Sequence, residues 1–418
     1  MSEHTTALVP IETWAYQSPE LRASGKQIDV GLLAESLVYY EAILLNIGNQ
    51  PQLAELLRWL IGQGALEDFL ALLRDGTIRI YEYSFVSAPV LKDGQYILLN
   101  IQDEAQAKPN SFEQRFLYHP DIEAVFPHAR QREKLYRAFR DRVVEVKAHE
   151  FGAAIEHARA DNLDPERAAL VVQSFVDELY AFRKLGEPPR VTARIESGKD
   201  VHRIHFNVSF DDLGRLAGTD LGVHPGTPLS GSMVSNRLIW SAGGLGCDLF
   251  LPSPVAALVG DKLYEADRAI RRTQGIIEQL QTDVEFPNLR SLINSADLSF
   301  AEGLRIRGKA GRFRKWLQDE SDRDRNALIA YHHEVARETG LVRFGRRALS
   351  LFGVLGSGAL GGALGAIAAG PAVGGVAGAA ASAAGYLLDV GSRIGADWRP
   401  VVFGNWMKER IVKLLGKV

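Results

Sequence analysis

One stretch limits the architecture of this chain more than any other. From Ala348 to Val390 the sequence runs through 43 positions with a single charge, Asp389, at its far end. A membrane-crossing helix needs about 20 mostly apolar residues. The stretch therefore has room for two spans, near 349–369 and 372–390. Gly370-Pro371 lies between them, where proline cannot continue a helix and glycine permits a turn.

The composition of these spans is small rather than greasy. Gly353, Ser357, Gly361, Gly365 and Ala369 repeat at four-residue spacing. A second row holds Gly358, Gly362, Ala366 and Gly370, and a third holds Gly374, Gly378 and Ser382. Such rows let helix backbones approach closely in lipid, where van der Waals packing drives association. Few Leu or Ile residues favour insertion of one hairpin alone, which points to an oligomer of packed hairpins. Arg343, Arg346 and Arg347 precede the first span; Arg393, Arg399, Lys408, Arg410, Lys413 and Lys417 follow the second. Basic flanks on both sides place both ends in the cytoplasm and a short tip outside. Trp398 and Trp406 suit an interfacial belt, and Val401–Val418 can form a basic amphipathic helix on the membrane surface.

The rest of the 418 residues reads as a mainly helical α+β body, too long for one ordinary core. Helices are expected over 31–46, over PQLAELLRWLIGQG and over ALEDFLALLRDG. The segment TIRIYEYSFVSAPV should pair with QYILLNIQ across Lys92-Asp93-Gly94. A helical region spans 118–187, with Asp164 as N-cap and Pro165 at the first helical position. Residues 190–210 read as a hairpin, 211–254 as a Gly/Ser/Pro-rich loop, and 254–282, 297–317 and 322–338 as further helices. The expected division is an α+β domain over 1–117, a mainly helical sensor domain over 118–340, and a membrane module over 341–418.

Charge and catalytic chemistry exclude several classes. Lys plus Arg number 48 against 51 Asp plus Glu, so any anionic partner must meet a local patch. The single cysteine, Cys247, rules out an intramolecular disulfide and a cysteine zinc site. The N-terminus has neither a basic nor an apolar signal region. His202 and His205 fall on opposite faces of a strand, and His332-His333-Glu334 and His149-Glu150 lack the second His of a metalloprotease helix. Gly243-Gly244-Leu245-Gly246 lacks the ending of a phosphate-binding loop and reads as a turn. No catalytic constellation, metal site or cofactor motif emerges, so the chain is read as a non-enzyme. Asp211, Asp212, Asp220 and Asp248 supply the acids for an alternative, a membrane-anchored metal-dependent enzyme; a membrane-recruiting scaffold is the third class.

The strongest local positive patch is Arg305, Arg307, Lys309, Arg312, Arg314 and Lys315, with Phe313 and Trp316 interleaved. Arginine forks could take phosphates and Trp316 could stack on a base. The competing reading is a solvated helix face paired with Asp319, Glu320, Asp322 and Asp324.

The region 286–318, the Gly-rich hairpin and Asp397-Trp398-Arg399-Pro400 together resemble an uncharacterised bacterial protein family; this covers about the C-terminal third. The order of parts resembles the transmembrane channel effectors of bacterial anti-phage systems, the Hailong-type effector in particular. That resemblance implies a cytosolic sensor holding a membrane pore in check, gated by a short deoxyadenylate signal from a companion nucleotidyltransferase. It implies as partners membrane lipid, further copies of the chain (a tetramer being one assembly) and an oligonucleotide or nucleotide signal. The hairpin itself places the chain at the inner membrane with its bulk in the cytosol; the competing reading is a buried Gly/Ala-rich hairpin or linker inside a soluble protein, and the two can be the idle and active states of one chain. The basic cluster at 305–316 is the expected signal site.

Overall fold

A computed structural model describes residues 6–13, 18–83, 85–92, 94–102, 112–146, 152–198, 201–221, 223–245, 247–251, 258–259, 288–311, 313–315 and 411. Both expected spans, the glycine rows within them, Arg312, Trp316 and the helix expected over 322–338 lie outside the described residues, as does the helix expected over 254–282 except for the helical pair 258–259.

The described part is mixed α/β, built on two sheets. The first is parallel and contains β1 (Thr6–Pro10), β2 (Ala42–Ile47), β3 (Ile78–Tyr83), β6 (Val143–Val146) and β9 (Asp248–Leu249), in the order β6-β3-β2-β1-β9. The second is antiparallel and contains β4 (Phe85–Lys92), β5 (Gln95–Gln102), β7 (Ala193–Ser197) and β8 (His202–Phe206), in the order β4-β5-β8-β7.

Helices cover both faces of the parallel sheet, which is why its central strands β1 and β2 carry no polar alternation. On one face Val9, Leu45, Ile43 and Ile80 meet α2 (Val30–Tyr39), α3 (Gln50–Gly62) and α4 (Leu66–Asp75). The same core takes in α5 (Phe112–Tyr118) and α7 (Ala129–Phe139), which follow the short α1 (Pro19–Ala23) and α6 (Pro120–Val125). It also takes in α12 (Leu289–Asn294) and α13 (Phe300–Lys309), so one core joins residues on both sides of the boundary expected at 117. On the other face Leu8, Leu44 and Tyr81 meet α9 (Pro165–Phe182) and α11 (Ser230–Leu245), with α8 (Gly152–Asn162) and α10 (Phe210–Ala217) beside them.

Three expectations are corrected. The helix expected over 31–46 ends at Tyr39; Tyr40 is extended, and Ala42–Ile47 is a buried parallel strand. Its run of apolar residues cannot be told from helix by periodicity alone. The single strand expected over TIRIYEYSFVSAPV is two strands in different sheets: β3 pairs with β2 and β6, and only β4 pairs with β5. The expected loop over 211–254 holds two helices, α10 and α11, and Gly243-Gly244 are the last turn of α11 rather than a free turn. Serine is accommodated in the helix here because the hydroxyls find their partners among preceding carbonyls. Ser232 Oγ donates to the Leu229 carbonyl, and Ser235 Oγ and Asn236 Nδ2 donate to the Ser232 carbonyl.

Other expectations hold. The β4–β5 turn places Gly94 at φ +76°, the 190–210 hairpin forms as β7–β8, and Asp164 caps α9 by accepting from the Arg167 amide.

Candidate functional site

Two edges of the parallel sheet and the strap that joins them make up the candidate site. The strap is α12 and α13, with Phe313–Lys315 beyond them. It lies along the outer side of α2, which is buried at all ten of its residues. The approach is close enough to demand glycine: a Cβ at Gly31 would lie 2.1 Å from the Arg290 carbonyl oxygen.

The start of the strap meets the N-terminus of α2. Asp29 caps that helix by accepting from the Leu32 amide through Oδ1. The same carboxylate accepts from Asn294 Nδ2 at 2.7 Å and from Arg290 Nε at 2.7 Å. Arg290 also donates to Ser18 Oγ, and Asn294 Oδ1 accepts from the Gly31 amide. Desolvation works against the Arg290 charge, but the Asp29 carboxylate outweighs it and holds the guanidinium above its ordinary range. Asp29 itself is 1% exposed, a charged N-cap inside the protein. This end of α2 adjoins the carboxyl edge of the sheet, since the Asp29 amide donates to the Ile11 carbonyl just past β1.

The end of the strap meets the C-terminus of α2 at the opposite, amino edge. Arg307 donates to the carbonyls of Leu37 and Glu41 and reaches Thr77 Oγ1, immediately before β3. Arg314 donates to the carbonyls of Val38 and Arg307. The last carbonyls of a helix lack partners and carry its negative dipole end, so cations are the natural caps. Here the carbonyls are neutral and burial is only partly offset. Burial lowers the Arg307 guanidinium, and burial together with its Arg307 neighbour pushes Arg314 down to about 10.

The basic cluster read from the sequence is therefore divided. Arg307 and Arg314 turn inward onto α2; Arg305 pairs with Glu302; Lys309 and Lys315 are exposed. Phe313 is fully buried against Tyr39.

The carboxyl edge carries polar groups that the linear sequence hid. Strand order climbs outward from β1 through β2, β3 and β6, then restarts with β9 on the other side of β1. The carboxyl ends beside such a switch point are where open α/β sheets take ligands. There, Tyr81 donates to Ser241 Oγ at 2.6 Å, and Arg237 stands 3.9 Å from Glu12, whose side chain is 3% exposed. Asn46 is wholly buried; its Nδ2 donates to the Tyr81 carbonyl, and its Oδ1 has no partner among the described residues. On the other face, Glu82 at the end of β3 accepts from Gln50 Nε2 and pairs with Arg115.

The acids of the enzyme alternative do not converge. Asp212 pairs with Arg215 on its own helix, and Asp220 with Arg183 at 2.8 Å. Among the described residues no group of three His, Cys, Asp or Glu side chains could hold a metal. Cys247 is buried, and burial together with Asp248 pushes its thiol up to about 12, far from a nucleophile. His202 and His205 lie on β8, His205 within 3.8 Å of Glu196. No helix among the described residues is long and apolar enough to cross a membrane.

Comparison with protein-family models, curated proteins and solved structures finds no match to this chain.

Proposed function

We propose that the chain is a non-enzymatic membrane effector in which 348–390 form an oligomeric pore and the α/β body controls it. The observation that carries this reading is the burial of Phe313 and Ile411 in one hydrophobic core, at 0% and 4% exposure. Both sides of the small-residue stretch are thus rooted in the same body. A hairpin of two spans requires that arrangement, since both its ends must return to one side of the membrane. A single span would separate them.

The strap gives the reading a mechanism. It touches the carboxyl edge through Arg290 and the amino edge through Arg307, with α2 between. A ligand or partner at the carboxyl edge would bias the strap, and through it the segment that begins at Trp316, between closed and open pore states. An anti-phage role, with growth arrest by depolarisation, follows as part of the proposal. Glycine rows at the pore wall make the reading testable by conductance across a planar bilayer. The purified full chain should conduct, and Gly361→Leu with Gly365→Leu should abolish or sharply reduce conductance by forcing the helices apart. Unchanged conductance in that variant would refute the packing of hairpins through these rows.

A further inference from the structure

We infer that the amino edge of the parallel sheet is a docking face for anionic lipid headgroups; the inference rests on the membrane reading of 348–390. Three loops and the end of the strap meet at this edge. Arg142, immediately before β6, donates to the Arg74 carbonyl and lies against Gly76. Arg307 bridges Glu41, before β2, to Thr77, before β3. These contacts bring onto one surface Arg74, Arg140, Arg142, Lys309 and Lys315, of which all but the half-buried Arg142 are exposed. The acids that share it are Asp75, Asp141, Glu41 and Glu67, the last paired with Arg74 at 3.6 Å; they are fewer than the bases even before Arg307 and Arg314 are added.

Direction decides what this surface meets. The described strap ends here, at Lys315, and the small-residue stretch follows in sequence from Ala348. The strap is anchored by Leu289, Phe300, Ile306 and Phe313, all fully or almost fully buried, so its last described residue is held at this edge. Strands of five or six residues span about 17–20 Å. The carboxyl edge with Asn46, Glu12 and Tyr81 therefore stands that far from the strap's end and faces away from it. An exposed Lys or Arg near an anionic leaflet contributes about fivefold in affinity at physiological salt, falling off within a Debye length. A nucleic acid would also suit exposed cations, but nothing in the path of the chain directs one to this edge.

The test uses the full chain in phosphatidylcholine vesicles with and without phosphatidylglycerol. Gly311 is exposed with open space around a Cβ, and Ser24 is exposed near the carboxyl edge. Cys247 is buried, so a fluorophore can be placed selectively on Gly311→Cys or on Ser24→Cys. A headgroup spin label on phosphatidylglycerol should quench the probe at 311 and leave that at 24 unquenched. Replacing Arg140, Lys309 and Lys315 by Gln should remove the quenching and weaken salt-strippable binding on the order of 100-fold. Circular dichroism melts check that the triple variant remains folded. Equal quenching at both positions, or quenching unaffected by the triple variant, overturns the inference, as does triple-variant loss of oligonucleotide binding with vesicle contact intact. Resistance to carbonate extraction separates the two claims. A resistant chain with no quenching at 311 keeps the hairpin and loses the docking face. A carbonate-stripped chain whose probe at 311 is still quenched keeps the docking face and loses the hairpin.

Discussion

The two ends of α2 are both closed by the strap, yet by opposite electrostatics. At the N-terminus a buried carboxylate meets a guanidinium that is 24% exposed, and Oδ1 of the same Asp29 also caps the helix. At the C-terminus two guanidiniums half-buried beside each other donate to carbonyls, with a hydroxyl added at Arg307, and the Glu41 and Asp75 charges offset their burial only in part. The first end is matched charge for charge and loses heavily if one partner goes. The second retains a desolvation cost that the carbonyls do not offset. The strap is therefore rigid at the carboxyl edge and electrostatically strained at the amino edge, where it ends.

The comparison breaks most sharply at Arg290. Arg290→Ala leaves Asp29 charged and buried without its strongest partner, so chemical denaturation should show a loss of about 3–5 kcal/mol. Gly31→Ala should come next, with a loss of about 1–3 kcal/mol as the added methyl pushes the Arg290 carbonyl away. Arg314→Met should lie within about 1 kcal/mol of the parent protein, because losing its hydrogen bonds is balanced by relief of a buried charge. A loss at Arg314 as large as at Arg290 would make the two ends alike and remove the contrast.

The smallest effect is a pH dependence away from the strap. Burial raises the Asp177 carboxyl above its ordinary range, only partly offset by Gln173 Nε2 at 2.7 Å. A carboxyl whose folded pKa is raised costs stability as pH climbs from the unfolded value through the folded one, and the full cost persists above both. Asp177→Asn should therefore melt at or above the parent temperature at neutral pH, with the advantage vanishing in acid. An advantage that grows in acid would reverse the sign.

The parts of the fold legible in the sequence are those specified locally. Asp164-Pro165 marked the start of α9, Gly94 the β4–β5 turn, and Gly76, at φ +84°, the end of α4. The parallel sheet was not legible, because strands buried on both faces carry no alternation and their pairing is set by distant chain. Ala42–Ile47 read as more helix for that reason. Helix α11 was missed because Ser230–Leu245 is rich in turn formers, and only back-bonding within the folded helix satisfies them. The basic cluster was legible as charge but not as geometry. Arg290 and Asp29 lie 261 positions apart, and no local pattern could pair them or send Arg307 inward.

Membrane potential tests the central claim most directly. A voltage-sensitive dye would be read in bacteria induced for the full chain and for a version ending at Gly340, which keeps the described strap and omits the small-residue stretch. The account predicts that the full chain depolarises the membrane and the shortened chain does not. Depolarisation by the shortened chain would contradict it.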